Sequence, residues 1–148
     1  MKIPPIVQTF LATALAWGLA RVAPIWHVES QALVIAAWVS VIVGMAFLCS
    51  ALLHFRSQGT TIDPLNPEKA QSLVVSGVYK VTRNPMYVGL VWLLAAWCFY
   101  LGYVGAFLAL PIFIFAMTQM QIKAEEHALQ EKFGTEYANY MRRVRRWL

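Results

Sequence analysis

The sequence predicts an all-α integral membrane protein with about four transmembrane helices, and two observations carry this prediction. First, 59% of the 148 residues are hydrophobic and only 13% are charged, whereas a soluble domain has about 25% charged residues. Second, three long segments contain no Asp, Glu, Lys or Arg: residues 3–20, 30–55 and 84–122. A chain with this composition needs a bilayer as part of its solvent.

The lengths of the uncharged segments set the number of helices. A helix that crosses about 30 Å of hydrocarbon needs about 20 residues. Each of the first two segments accommodates one crossing, and the third is long enough for two, with a break near Gly102 and Gly105. We therefore predict helices over about residues 5–23, 31–53, 85–101 and 104–122, in a single membrane domain that covers residues 1–148.

The basic residues predict how these helices are oriented. Four crossings place both termini and the segment 54–84 on one side of the membrane, and that side then carries every Lys and Arg except Arg21. Because basic loops remain on the cytoplasmic side, we expect both termini and any site near them to be cytoplasmic. An odd number of crossings would destroy this asymmetry.

The charged end of the chain predicts one more helix on the cytoplasmic side. Over residues 123–141, apolar side chains recur at intervals of three or four residues, which is the pattern of an amphipathic helix, and Gly134 predicts an interruption in it. Residues 142–148 contain four arginines. This basic tail is expected to anchor on anionic lipid or to serve only as a topological signal.

The two cysteines do not indicate a metal centre or a disulfide. Cys49 and Cys98 both lie within apolar runs, and neither has a second cysteine at metal-ligand spacing. We interpret them as buried, inert thiols. We expect no metal site and no nucleic-acid partner.

Two polar groups at the membrane boundary are candidates for a functional site. One is the segment 77–89, which brings tyrosines, a basic residue and an amide to the start of the third helix. The other is the pair Glu125 and Glu126, where the fourth helix leaves the membrane. Both have a purely structural alternative, namely a helix entrance and a solvated helix face, and the residues alone leave the choice open.

Helix geometry limits what the two glutamates can do together. Adjacent residues on a helix point about 100° apart, so only one of the pair can face a given ligand. Gln121 shares a face with Glu125 at a spacing of four, and Gln119 shares a face with Glu126 at a spacing of seven.

The residues around these groups resemble a known family. The block at residues 73–79 followed by 83–89 is similar to the signature of the isoprenylcysteine carboxyl methyltransferase and phospholipid methyltransferase superfamily. So is the glutamate pair followed by residues 133–137 and 140–144. The resemblance covers about residues 55–146, and it is to the short, bacterial type of member. This implies the bacterial inner membrane as the location.

The resemblance implies an enzyme that uses S-adenosylmethionine and receives a lipophilic acceptor laterally from the bilayer. It implies that a set of ten residues contacts the cofactor: Gln71, Ser72, Leu73, Val74, Tyr79, Asn84, Pro85, Met86, Tyr87 and Glu125. A carboxylate can pair with the ammonium of the cofactor, and tyrosine faces can stabilise its sulfonium. Gln119 and Gln121 are the corresponding substrate-binding positions, and Gln121, Glu126 and Arg83 are candidates for positioning the reactants.

Two departures from the family bear on the acceptor. Many eukaryotic relatives that methylate carboxyl groups have histidine where this chain has Asn84, and they place an arginine just before the glutamates. Gln119 and Gln121 cannot neutralise a carboxylate, which counts against a prenylcysteine carboxylate as the acceptor. A lipid amine, a small apolar thiol or another hydrophobic acceptor remains open.

Two other functions are compatible with the sequence. One is a reductase that uses NADPH, of the kind related to membrane sterol reductases, although no evident site for a 2′-phosphate is found. The other is a scaffold or transporter subunit without catalysis. Membrane lipids are expected partners in every case, and the sequence does not decide the oligomeric state.

Overall fold

The computed structural model describes residues 3–22, 24, 26–57 and 72–148. All regular elements within these ranges are helical, which confirms the all-α class. The α-helices are α1 (Pro5–Val22), α2 (Gln31–Ser57), α3 (Pro85–Leu101), α4 (Ala109–Met117) and α5 (Lys123–Arg143). Short 3₁₀ turns at Gly77–Lys80 and Val104–Leu108 precede α3 and α4, respectively.

Within the described ranges, three helices are long and apolar enough to cross a membrane. They are Pro5–Val22, Gln31–His54 and the continuous helical stretch Val104–Arg143. The 17-residue helix α3 is apolar but shorter, so the number of four crossings stays a prediction. Many large apolar side chains point outward, including Phe10, Ile42 and Phe115. Such outward faces are suited to contact with lipid tails.

Helices α2 and α3 approach each other closely at a pair of glycines. A Cβ atom on Gly44 would lie 2.9 Å from the carbonyl oxygen of Gly89, and a Cβ on Gly89 would lie 2.7 Å from Cγ of Leu48. Neither helix can carry a side chain here without moving apart. Small residues allow this close backbone approach between apolar helices, where packing rather than water drives association.

Helix α1 completes the core with a stripe of small residues. Ala12, Ala16 and Ala20 are buried at intervals of four, and they belong to the same apolar cluster as Leu94 of α3 and Phe113 of α4. Because closely packed helices deform little, they hold the polar residues at their ends in fixed positions.

The last helical stretch changes its winding where the charged residues begin. A π-helical turn, Thr118–Ile122, joins α4 to α5 and places one extra residue in the turn. Further along, Gly134 has φ 50° and ψ −121°, which kinks α5. A second apolar cluster then brings α5 together with the end of α2 and the segment before α3; its buried members are Ala51, Val74, Tyr79, Tyr137, Tyr140 and Val144.

Candidate active site

Glu125 is the centre of the candidate site. The Tyr87 hydroxyl donates a hydrogen bond to Glu125 Oε1 at 2.5 Å, and Gln121 Nε2 donates to the same oxygen at 3.0 Å. The carboxylate therefore joins α3, the π turn and α5. Because a hydrogen bond to an ionised group is about twice as strong as a neutral one, this arrangement holds the carboxylate in a fixed place.

The π turn explains how Gln121 reaches this position. Gln121 lies within the turn and is only 1% exposed, although it sits at the charged end of an otherwise apolar stretch. Single π turns inside helices are rare and occur frequently at functional sites. The sequence does not predict the π turn, since residues 118–122 contain neither glycine nor proline.

Tyr79 approaches the same carboxylate from the segment before α3. Burial, the neighbouring Tyr140 and the negative charge of Glu125 all raise the pKa of the Tyr79 phenol. It therefore remains a neutral hydroxyl well above neutral pH. The Tyr140 hydroxyl donates to the main-chain oxygen of Tyr79 at 2.7 Å, which ties this segment to α5.

The apolar members of the predicted cofactor set lie next to this group. Val74 is buried in the second apolar cluster, and Leu73 and Met86 pack against it. The Ser72 hydroxyl is buried and has no hydrogen-bond partner among the described residues. Gln71 lies outside the described residues.

Asn84 and Pro85 form the start of α3. Pro85 is buried at the first turn of the helix, where a missing N–H has no consequence. The Asn84 side chain does not cap the helix. Instead, its amide Nδ2 donates to the main-chain oxygen of Arg146 at 2.8 Å. The Asn84 amide thus donates a hydrogen bond within the protein.

Glu126 points away from Glu125, as expected for adjacent helical residues, and meets two arginines. Arg146 donates to both of its carboxylate oxygens, from Nε at 2.9 Å and from Nη2 at 2.7 Å. Arg83 Nη1 lies 3.1 Å from Oε1, and the side chains of Arg83 and Glu126 are only 10% and 13% exposed. The hydrogen bonds with Glu126 raise the pKa of Arg146.

Gln119 is not brought to this group. Its side chain is exposed, and its oxygen accepts a hydrogen bond from Lys123 Nζ at 2.7 Å. The expected common face with Glu126 assumed an unbroken α-helix, and the π turn between the two residues changes the angle between them. Gln121 alone of the two glutamines joins the Glu125 group.

Several residues of the site were not predicted from the sequence. Arg146 binds Glu126, Thr82 donates to the Arg146 main-chain oxygen at 3.2 Å, and the Trp147 indole donates to Thr118 at 3.2 Å. The interpretation of the tail as a lipid anchor or a topological signal did not include this role of Arg146, which forms an ion pair with Glu126. Val144, an apolar residue between arginines, could have indicated that the tail packs against the protein, and it is buried in the structure.

An apolar groove lies beside the polar group. It has a volume of about 200 Å³ and is lined by Val88, Val91, Trp92, Ile114, Trp147 and Leu148. Val88 follows Tyr87 directly in α3, and Trp147 is tied to the first residue of the π turn. The volume is below the ~300–1,000 Å³ of pockets that enclose drug-sized ligands, so the groove can cover only part of a ligand of that size.

Comparison with known proteins gives a family and three relatives. Residues 32–136 match the family model for phospholipid methyltransferases. The chain is 48% identical over 63 residues to an uncharacterized protein of Haemophilus influenzae, which covers 43% of this chain and all of that protein. No solved structure matches the chain.

Two curated relatives come from Arabidopsis thaliana. Protein-S-isoprenylcysteine O-methyltransferase B is 28% identical over 105 residues, 70% of this chain and 53% of its own length. Protein-S-isoprenylcysteine O-methyltransferase A is 28% identical over 120 residues, 80% of this chain and 58% of its own length. The chain thus spans a little over half of each plant protein. Since the family model covers most of the chain and both motif blocks around Glu125 lie largely within it, this integral membrane protein belongs to the phospholipid methyltransferase family.

Proposed function

We propose that this chain is an integral membrane methyltransferase that uses S-adenosylmethionine and methylates a lipophilic acceptor entering from the bilayer. The proposal includes four crossings and a site on the cytoplasmic side. The single observation that carries it is the hydrogen bond between Tyr87 and Glu125, which come from two separate motif blocks, with Gln121 bound to the same carboxylate oxygen. A scaffold would not need these residues to meet.

The chemistry of the available groups fits the cofactor. A Glu125 carboxylate suits the ammonium of an amino acid, and the phenol rings of Tyr79 and Tyr87 suit a sulfonium cation. Two buried donors, Ser72 Oγ and Arg83 Nε, have no hydrogen-bond partner among the described residues. An amino-acid carboxylate would satisfy donors of this kind. Leu73 and Val74 offer apolar surface for a flat base.

The bound cofactor would supply an activated methyl group, so the protein is asked mainly to orient the acceptor and exclude water. The side chains next to Glu125 are those of Tyr79, Tyr87 and Gln121. These uncharged side chains can form hydrogen bonds with a neutral nucleophile. Gln121, the polar side chain that binds Glu125 from the π turn, is a neutral amide and cannot neutralise a carboxylate acceptor. A lipid amine or an apolar thiol fits this environment better.

The apolar groove supports the lipophilic part of the proposal. Its six lining residues are all apolar or aromatic, and it runs along α3 and α4 beside exposed side chains such as Phe115. A hydrocarbon chain leaving the bilayer would therefore remain in apolar surroundings as its polar end approached Tyr87.

The experiment that tests this function is transfer of a radiolabelled methyl group from S-adenosylmethionine to a bacterial lipid extract by purified protein in lipid nanodiscs. We expect label in the organic phase, and its loss in Glu125→Ala but not in His127→Ala, a neighbouring exposed position. Equal labelling by wild type and Glu125→Ala would reject Glu125 as a site residue. A wild-type protein that binds no cofactor would reject the function itself.

A further inference from the structure

Residues 144–148 form a strap across the start of α3. At Val144 the backbone leaves the helical conformation, with φ −121° and ψ 133°, and the chain turns back toward the segment 82–84. Val144 itself is buried in the second apolar cluster with Tyr79 and Tyr140. The strap is therefore packed against the fold rather than extended along its surface.

Main-chain hydrogen bonds attach the strap to the residues just before Tyr87. The Arg83 N–H donates to the Arg145 oxygen at 2.9 Å. The Arg146 oxygen accepts from Asn84 Nδ2 at 2.8 Å and from Thr82 Oγ1 at 3.2 Å. Three consecutive residues, 82–84, are thus fixed to two consecutive carbonyls. Because buried backbone groups need hydrogen-bond partners, these bonds fix the alignment of residues 82–84 against the strap.

A partly buried ion pair attaches the same strap to α5. The Arg146 guanidinium binds Glu126 through two hydrogen bonds, and Arg83 approaches the same carboxylate. Bidentate pairs of this type fix distance and orientation together. Glu126 is the immediate neighbour of Glu125. The strap consequently links the segment that leads into Tyr87 with the helix that carries Glu125.

We infer that Arg146 is a positioning residue, whose main-chain oxygen and guanidinium together set the distance between Tyr87 on α3 and Glu125 on α5. The consequence for cofactor binding rests on the proposed function. Asn84 then acts by holding the strap with its amide, in addition to any contact with the cofactor. A residue that only stabilises the fold would lower stability without a specific effect on the cofactor.

The test compares Arg146→Ala, Arg146→Lys and Glu126→Gln with Arg145→Ala as the matched control, because the Arg145 side chain is exposed. Binding of S-adenosylhomocysteine is measured by calorimetry in detergent. We expect Arg146→Ala and Glu126→Gln to weaken binding by at least about tenfold, since small displacements of positioned groups have effects of this size or more. Arg146→Lys should recover part of the loss because it keeps the charge but not the bidentate geometry.

Kinetics distinguish positioning from general stabilisation. In Arg146→Ala the KM for S-adenosylmethionine should rise while kcat at saturating cofactor stays near the wild-type value. Wild-type affinity in both Arg146→Ala and Glu126→Gln would overturn the inference. So would equal losses in Arg146→Ala and Arg145→Ala.

Hydrogen exchange tests the strap independently of the cofactor. In Arg146→Ala, the amides of residues 82–84 should exchange faster, while those of α4 remain unchanged. If the wild-type protein binds no S-adenosylhomocysteine, the proposed function fails, and exchange alone decides on the strap. Unchanged protection at residues 82–84 would then reject it.

Discussion

At the scale of single residues, the site depends on a few side chains whose partners lie far away in the sequence. Tyr87 and Glu125 are 38 residues apart, and their 2.5 Å hydrogen bond joins two helices. Arg146 reaches back 20 residues to Glu126. Patterns of local spacing indicate which face a residue occupies but do not indicate such partners. For this reason the family resemblance implied that Glu125 and Tyr87 contact the cofactor but did not predict the hydrogen bond between them. It also did not predict any role for Arg146.

The Tyr87 hydroxyl is expected to matter both for folding and for cofactor binding, because it holds Glu125 across two helices. A hydrogen bond to a charged group contributes about 1.5–3 kcal/mol. Tyr87→Phe should therefore lower the thermal midpoint, and because Glu125 is then held less firmly, it should also weaken S-adenosylhomocysteine binding by roughly tenfold or more. Tyr100→Phe, the same substitution at an exposed position of the same helix, is the control. Equal affinities of the Tyr87→Phe variant and the wild type, measured by calorimetry, would contradict the assignment.

Gly77 is a second position where one residue decides local structure. It has φ +59°, and a Cβ there would lie 1.8 Å from His54 Nε2. Gly77→Ala combines a backbone penalty on the order of 1–3 kcal/mol with a collision that forces the His54 ring or the segment carrying Tyr79 to move.

A graded series of glycine variants separates these two effects. Gly134→Ala has the backbone penalty alone, and Gly18→Ala has neither, because nothing lies within 4 Å of a Cβ at either position and only Gly134 has positive φ. We expect thermal midpoints to fall in the order Gly18→Ala, Gly134→Ala, Gly77→Ala. A Gly77→Ala variant as stable as Gly134→Ala would show that the contact with His54 is unimportant.

At the scale of elements, the sequence predicted those helices whose position depends on composition alone. Long runs without charge, bounded by proline or by charged residues, indicated the helices, because an apolar helix satisfies its own backbone groups and needs no specific partner. The π turn was not predictable, since nothing in Thr118–Ile122 disfavours an ordinary α-helix. It follows from packing, and it determines that Gln121 rather than Gln119 faces the site.

The contact between α2 and α3 gives a prediction at this scale. Gly89→Ala introduces a Cβ 2.7 Å from Leu48 Cγ and 2.9 Å from the Gly44 oxygen, so the helices must separate. Overpacking of this kind costs about 1–3 kcal/mol, and the thermal midpoint should fall. Leu48→Ala in the same chain should restore only part of the stability, because the clash with backbone remains. Full restoration by Leu48→Ala would show that the two backbones can separate without cost.

At the scale of the whole molecule, the polar group and the apolar groove are the two features on which the proposed binding of cofactor and acceptor rests. The polar group lies where α3 begins and α5 leaves the apolar part of the molecule. The groove lies between α3 and α4, and Trp147 and Leu148 also line it. The family match and the helical class were predictable because they depend on residue order and composition. The groove was not, because Trp147 and Leu148 form one of its walls only after residues 144–148 turn back.

Filling the groove should separate acceptor binding from cofactor binding. Ile114→Trp adds volume inside the groove, whereas Ile112→Trp places the same side chain on an exposed position of α4. We expect Ile114→Trp to reduce methyl transfer to the lipid extract by about tenfold or more, with unchanged binding of S-adenosylhomocysteine. Equal transfer rates in the two variants would exclude the groove as the path of the acceptor.

The most direct test of the central claim is calorimetric titration of S-adenosylhomocysteine into the detergent-purified protein, with Glu125→Ala and Glu131→Ala in parallel. Glu131 is a matched acidic residue on the same helix with a largely exposed side chain. We expect binding in the micromolar range by the wild type and by Glu131→Ala, and its loss in Glu125→Ala. Absence of binding by folded wild-type protein, or full binding by Glu125→Ala, would contradict it.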